Sequence, residues 1–223
     1  MMLKVLELFD SIDGEGRRAG ELTTFIRLSG CNLRCSWCDT AYSQTGLQGD
    51  YYTIDDIIKK VESFGNKNVT VTGGEPLIHS DISSLFVELV NRGFDVNVET
   101  NGSIDITHFI ISDNNSLWFT MDYKPVSSGM NSHMKLDRFL SLRPCDVLKF
   151  VVGSTSELND ALAVIQHIRK NNVKCLVYIS PVFGLIQPAE IVKFMQHNKS
   201  DMHNVRVQLQ LHKIIWDPNM RCV

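Results

Sequence analysis

Cys31-Asn32-Leu33-Arg34-Cys35-Ser36-Trp37-Cys38 follows Leu28-Ser29-Gly30 and is closed by Asp39-Thr40. The run carries three of the chain's six cysteines in a Cys-x3-Cys-x2-Cys spacing. Thiolates crowded this closely are placed to grip one inorganic group. Cysteine thiolates are the usual ligands of iron–sulfur clusters, and a four-iron cluster ordinarily takes four of them. Three local donors leave one iron open, and an open coordination position separates a site that activates a ligand from a closed structural one. Two plainer readings stand beside this one: a zinc site, which wants a fourth Cys or His nearby, and three free thiols behaving as small hydrophobes.

Outward from this run, strand-like and helical patterns alternate. A β-branched stretch at 24–28 precedes it, and similar stretches recur at 69–72, 96–99, 117–121, 147–152, 175–179 and 205–209. Ile54, Ile57, Ile58, Val61 and Phe64 share one helical face behind a Thr53 cap, and Ile82, Leu85, Phe86, Leu89 and Val90 share another that Gly93 ends. Leu158, Leu162, Ile165 and Ile168 mark a third helix over 157–170. Pro188 opens a fourth, since proline is favoured in a first helical turn. Such alternation predicts an α/β fold with a mainly parallel sheet and functional loops at the carboxyl ends of its strands. The cysteine run, Gly73-Gly74-Glu75-Pro76 and Asn101-Gly102 all fall at such ends. With 223 residues the chain is short of the about 250 typical of a closed eight-fold barrel. The expected architecture is therefore an open, partial (β/α) barrel in a single domain over 1–223.

A formal charge of -3, with lysines and arginines scattered along the chain, argues against a nucleic-acid backbone as partner and for a small molecule. No apolar stretch approaches the about 18–20 residues that span a bilayer, and 1–7 lack a signal-peptide pattern, so no membrane association and a cytoplasmic location are expected. Cys175 lies in an apolar run and reads as a core thiol; Cys145 and Cys222 stay undecided. His79, His108, His133, His167, His197 and His203 are too dispersed to form a metal-ligand set.

Two features carry chemistry besides the cysteines. Arg27, flanked by Ile26 and Leu28, points opposite to them on a strand, and a guanidinium suits bidentate capture of a carboxylate. A solvent-facing arginine on a two-sided strand is the plainer alternative. Gly73 and Gly74 remove side chains where a strand ends, which lets a ligand approach the backbone, with Glu75 as an acceptor beside them. Their plainer reading is a turn needing glycine torsions.

The cysteine spacing, with Trp37 just ahead of the third cysteine, resembles the radical S-adenosylmethionine (SAM) enzymes. The resemblance implies a 4Fe-4S cluster on Cys31, Cys35 and Cys38, with SAM chelating the open iron. It also implies SAM contacts from Trp37, Cys38, Asp39, Gly73, Gly74, Glu75 and the segment Asp122-Tyr123-Lys124. Gly14-Glu15-Gly16, Arg27, Thr72, Glu99-Thr100-Asn101-Gly102, Lys124-Pro125 and Gln210-Leu211-His212-Lys213 narrow the resemblance over nearly the whole chain. It is similar to the radical SAM family of queuosine and deazapurine biosynthesis that contracts 6-carboxy-5,6,7,8-tetrahydropterin to 7-carboxy-7-deazaguanine with loss of ammonia. That likeness implies substrate contacts from Ile12, Asp13, Gly14, Arg27, Thr72 and His212, and Mg2+ on Thr40. It further implies catalytic roles for Glu15 and Glu99, an electron donor such as flavodoxin or ferredoxin, and a homodimer. Two positions depart from the pattern: Asp13 replaces a common Gln, and Tyr123 replaces the Pro of a Ser-Pro-Lys segment. The tail over 214–223 falls where family members close the substrate pocket. The competing readings are an activase that installs a glycyl radical on a partner enzyme, and a non-catalytic metal-binding or redox-sensing module.

Overall fold

Ile26 and Leu28 are fully buried against helices while Arg27 between them faces the other way, and this alternation on one strand orients the whole sheet. The structure, a computed structural model, describes residues 1–111, 115–218 and 220–223; of the tail, position 219 lies outside the described residues. Strand β1 (Met2–Ile12) runs antiparallel to β2 (Leu22–Leu28) and to β3 (Asp50–Thr53). From β2 onward every neighbouring pair is parallel: β4 (Asn68–Gly73), β5 (Asp95–Thr100), β6 (Leu117–Tyr123), β7 (Val147–Val152), β8 (Leu176–Pro181) and β9 (Val205–Val207). The nine-stranded sheet has the order β3-β1-β2-β4-β5-β6-β7-β8-β9, with β3 and β9 at its edges, so the barrel is open.

The helices form where the apolar spacing places them. In α1 (Ile54–Phe64) the Thr53 hydroxyl accepts from the Asp56 amide, and Ile57, Ile58 and Val61 are buried. Gly65, in the left-handed region at φ 77°, ends that helix. Helix α2 (Ile82–Asn91) buries Ile82, Leu85, Phe86 and Leu89, and α3 (Thr155–Lys170) is capped by Ser154. Helix α4 (Pro188–His197) starts at its proline, and a four-residue α5 (His212–Ile215) begins the tail. Burial of Val, Leu, Ile and Phe between helices and sheet, at about 1.5–3 kcal/mol each, is the main driving force.

The differences from expectation lie in the first quarter of the chain and near its carboxyl end. Strand β1 was not anticipated, because a bulge at Leu6 breaks its two-residue alternation. Strand β3, Asp50-Tyr51-Tyr52-Thr53, is a short polar edge with no apolar period to detect. Of the expected last strand 205–207 form β9, the Gln208 amide makes one more bond to the Ile179 carbonyl of β8 at 3.0 Å, and from there the Gln208 side chain turns to the amino-terminal segment. Gln208 Oε1 accepts from the Gly16 amide at 2.9 Å, its Nε2 donates to the Gly16 carbonyl at 2.7 Å, and the Leu211 amide donates to Gly14 at 3.0 Å. These bonds clasp the first and last segments together at one rim of the barrel. No helix among the described residues is long and apolar enough to cross a membrane.

Candidate active site

The cysteine loop is shaped before any ligand arrives. Gly30, at φ 104°, donates its amide to Ser43 and Cys31 donates to Gln44. Leu33 is buried, and Arg34 Nη1 bonds the carbonyls of Cys31 and Leu33, both at 2.7 Å. Ser36 and Trp37 are tied to Ser127 and Ser128. The three thiols consequently open into one cavity of about 670 Å³. Cys31 Sγ accepts from the Leu33 amide at 3.4 Å and from Asn101 Nδ2 at 3.6 Å. Donors aimed at a cysteine sulfur are among the features that tune iron–sulfur clusters. Burial pushes the Cys31 and Cys35 thiols up, so cluster assembly has to displace their protons. Thiols ringing a cavity of this size fit a polynuclear cluster.

Gly73 and Gly74 press directly on this loop. A Cβ on Gly74 would lie 2.2 Å from the Gly30 carbonyl oxygen and 2.8 Å from Cys31 Cβ, and one on Gly73 would lie 2.3 Å from the Leu28 oxygen. Both glycines line the cavity. Gly74→Ala is therefore expected to push the Cys31 backbone outward. It should lower stability by about 1–3 kcal/mol, as overpacking does, and reduce iron retention and SAM binding together, as read by iron analysis and equilibrium titration.

The Glu75 carboxylate belongs elsewhere than expected. It is fully buried outside the cavity lining, and accepts from the Leu77 amide at 3.0 Å, Thr100 Oγ1 at 2.8 Å and the Asn101 amide at 2.6 Å. Burial pushes its pKa up to about 7 against those bonds. Its side chain ties the end of β4 to the end of β5 and so holds Asn101 against Cys31. Tyr123 likewise packs its ring on Phe139 and Phe150, at 5.4 and 5.6 Å between centroids, away from the cavity.

The remaining expected residues converge. Arg27 on β2, Thr72 on β4, Glu99 on β5, Asp122 on β6 and Lys149 on β7 all line the cavity, as do Ile12, Asp13, Gly14, Glu15, Trp37, Asp39, Thr40, Lys124 and His212. Asp13 reaches it without its carboxylate, which is buried and bonded to Arg18 at 2.9 Å and Thr70 at 2.8 Å. Thr72 Oγ1 donates to Glu99 at 2.8 Å, and Lys124 pairs with Asp122 at 2.6 Å. Gly14 is bare because His212 lies on it: a Cβ there would be 2.3 Å from His212 Nδ1.

Lys149 was overlooked in the sequence, although, like Arg27, it is a charged residue amid an apolar strand. Its ammonium pairs with Glu15 at 2.7 Å, and Ser180 Oγ donates to the other Glu15 oxygen at 2.8 Å. Burial alone would raise the Glu15 pKa, but the Lys149 charge and these hydrogen bonds hold it below the usual carboxylate range. Burial pushes Glu99 up instead. The site thus keeps one glutamate ionised and biases the other towards its acid form, an arrangement suited to proton handling. Burial lowers His212, leaving a neutral imidazole at neutral pH. The tail also reaches the cavity, through Pro218, Met220, Arg221, Cys222 and Val223.

This fold and this thiol-ringed cavity define the class: the chain is a radical SAM enzyme that uses a 4Fe-4S cluster and SAM, and residues 25–110 match the Radical SAM superfamily. A 7-carboxy-7-deazaguanine synthase from Clostridium acetobutylicum is 43% identical over 225 residues, covering the whole of both chains. Another from Thermoplasma acidophilum is 34% identical over 212 residues, 95% of this chain and 96% of that one. The solved structure of QueE from Escherichia coli shares the fold, with a TM-score of 0.75 over 94% of each chain at 22% identity. The chain belongs to the 7-carboxy-7-deazaguanine synthase family.

Proposed function

We infer that the chain converts 6-carboxy-5,6,7,8-tetrahydropterin to 7-carboxy-7-deazaguanine with loss of ammonia, and that its side chains divide the work as follows. The observation that carries this reading is the row Arg27, Thr72, Glu99, Lys149 and Glu15, which stands in the same cavity as the three thiols. When bound, the cluster on Cys31, Cys35 and Cys38 and its SAM supply the radical chemistry that abstracts hydrogen from the pterin. The protein orients the substrate and excludes water. The Arg27 guanidinium receives the substrate carboxylate as a fork. Glu15, kept ionised by Lys149, accepts from the N–H groups of the guanidine-like edge. Glu99, which burial biases towards its acid form, is the group placed to pass a proton, and Thr72 donates to the same carboxyl. His212, packed on Gly14, closes the pterin edge with a neutral ring.

The Gly73 and Gly74 backbone receives the SAM amino end, Asp122 accepts from its ribose hydroxyls, and Trp37, Cys38, Asp39, Lys124 and the Tyr123 backbone complete that side. Thr40, whose hydroxyl lies 3.7 Å from Cys38 Sγ, gives Mg2+ one oxygen. Water and substrate supply the rest, as is usual for this ion. The continuous sheet supports reading 1–223 as one domain. Exposed Phe183, Leu185, Ile214 and Ile215 fit a homodimer contact. A flavodoxin or ferredoxin serves as electron donor in the cytoplasm.

Arg27→Ala tests the substrate assignment. Pterin binding to the cluster-loaded, SAM-bound enzyme is expected to weaken by about 1.5–3 kcal/mol, the loss typical of a hydrogen bond to a charged group, with iron content and SAM affinity unchanged. Loss of iron in step with pterin affinity would contradict it.

A further inference from the structure

Side chains of β1 alternate until Leu6, where a bulge sets Val5 opposite Leu28 and Glu7 opposite Arg27. Val5 and Leu28 both point into the core. Without the extra residue Glu7 would follow Val5 to that face, because strand side chains repeat every two residues. The bulge turns it to the cavity side, and bulges beside active sites commonly re-aim a side chain in this way. Gly49 packs over the distortion: a Cβ there would lie 2.6 Å from the Val5 carbonyl oxygen.

Glu7 Oε2 accepts from Arg27 Nε at 2.7 Å and from the Tyr42 hydroxyl at 3.1 Å. Arg27 and Tyr42 line the cavity, and Glu7 lies behind them. Nη1 and Nη2 of Arg27 make no hydrogen bond to the described residues, so the far end of the fork is free for a ligand. The Phe9 ring, 5.8 Å from the guanidinium and stacked on Phe25 with centroids 4.9 Å apart, supports the group from another side. Arg221 of the tail stacks on Tyr42 at 3.7 Å, so the Glu7 partner also meets the segment that borders the cavity.

We propose that Glu7 is a positioning residue: through Arg27 Nε it aims the two terminal guanidinium nitrogens at the substrate carboxylate and makes the site selective for a 6-carboxylated pterin. This rests on Arg27 holding that carboxylate. A guanidinium anchored at Nε by a partly buried acceptor loses less freedom when it binds, which is how preorganisation raises affinity. The selectivity follows because only a ligand bearing the carboxylate draws on the aimed fork.

The test is equilibrium binding of two ligands, 6-carboxytetrahydropterin and a tetrahydropterin lacking the carboxylate, to the cluster-loaded, SAM-bound enzyme. Glu7→Ala should weaken the carboxylated ligand by about tenfold or more and the other by less than about twofold, with iron content and SAM binding unchanged. Glu7→Gln, which keeps an acceptor at the same place, should recover part of the loss. In turnover, KM should rise more than kcat falls. The double variant Glu7→Ala/Arg27→Ala should bind no more weakly than Arg27→Ala alone, since both act through one group. Equal losses for the two ligands, additive losses in the double variant, or tighter binding of the carboxylated ligand by Glu7→Ala would each overturn the proposal. Should Arg27→Ala itself leave the selectivity intact, the Arg27 assignment falls and this one with it. Should Arg27→Ala abolish selectivity while Glu7→Ala preserves it, only the Glu7 role is lost.

Discussion

Replacing Cys35 with alanine is expected to abolish both cluster retention and turnover while leaving the polypeptide folded. The loop supplies three thiolates and SAM takes the remaining iron, so one deletion leaves that cluster with two protein donors and a second open corner. The loop itself does not depend on the thiol: Leu33 is buried, Ser36 is bonded to Ser127 and Ser128, and Gly30 to Ser43. Unfolding of the iron-free variant should thus stay within roughly 1 kcal/mol of the iron-free parent, since its anchors are intact. Iron and sulfide analysis after anaerobic reconstitution, together with denaturant unfolding of both apoproteins, separates the two effects. A variant that kept its full iron content would show that Cys35 is not a ligand.

The second large effect is expected from Lys149→Met. Lys149 and Glu15 are both about nine-tenths buried and pair at 2.7 Å. Removing one partner of a buried ion pair typically costs about 3–5 kcal/mol, because the other charge is left uncompensated. The sign of the pH response follows from Glu15. In the parent enzyme its folded-state pKa is depressed, so its contribution to stability is present above the ordinary glutamate range and lost as pH falls through the folded value. In Lys149→Met burial dominates and the folded pKa lies above the unfolded one, so stability declines as pH rises through that interval. The acidic limb of the pH–rate profile should move to higher pH for the same reason. Glu15→Gln/Lys149→Met should recover part of the stability, as coupled neighbours are not additive. Denaturant unfolding across pH measures all of this. An unchanged pH dependence would mean that the pair does not set the ionisation of Glu15.

Much of this architecture was readable because its signals are local. The Thr53 cap, the Pro188 start, the apolar run at 147–152 and the buried faces of α1 to α3 each depend on residues within a turn or two of one another. Arg27 was legible as a charge between two core residues, and Lys149 between Leu148 and Phe150 carried the same mark. What stayed hidden depends on tertiary partners. The Leu6 bulge erased the alternation of β1, and with it the pairing of Glu7 with Arg27. Asp13 keeps its place in the cavity lining, but Arg18 and Thr70 occupy its carboxylate, an arrangement that only the folded chain brings together. Glu75 stands beside two cavity glycines in sequence, yet its side chain turns inward to the amides of Leu77 and Asn101. Backbone demand for an acceptor decided its direction, and no short motif encodes that demand.

The measurement that bears most directly on the whole reading is mass spectrometry of an anaerobic reaction containing the iron-reconstituted protein, SAM, a strong reductant, Mg2+ and 6-carboxy-5,6,7,8-tetrahydropterin. The expected result is 7-carboxy-7-deazaguanine, formed with release of ammonia and absent with Cys35→Ala. Recovery of the pterin unchanged, from a sample shown to hold its cluster and to bind SAM, would contradict the account.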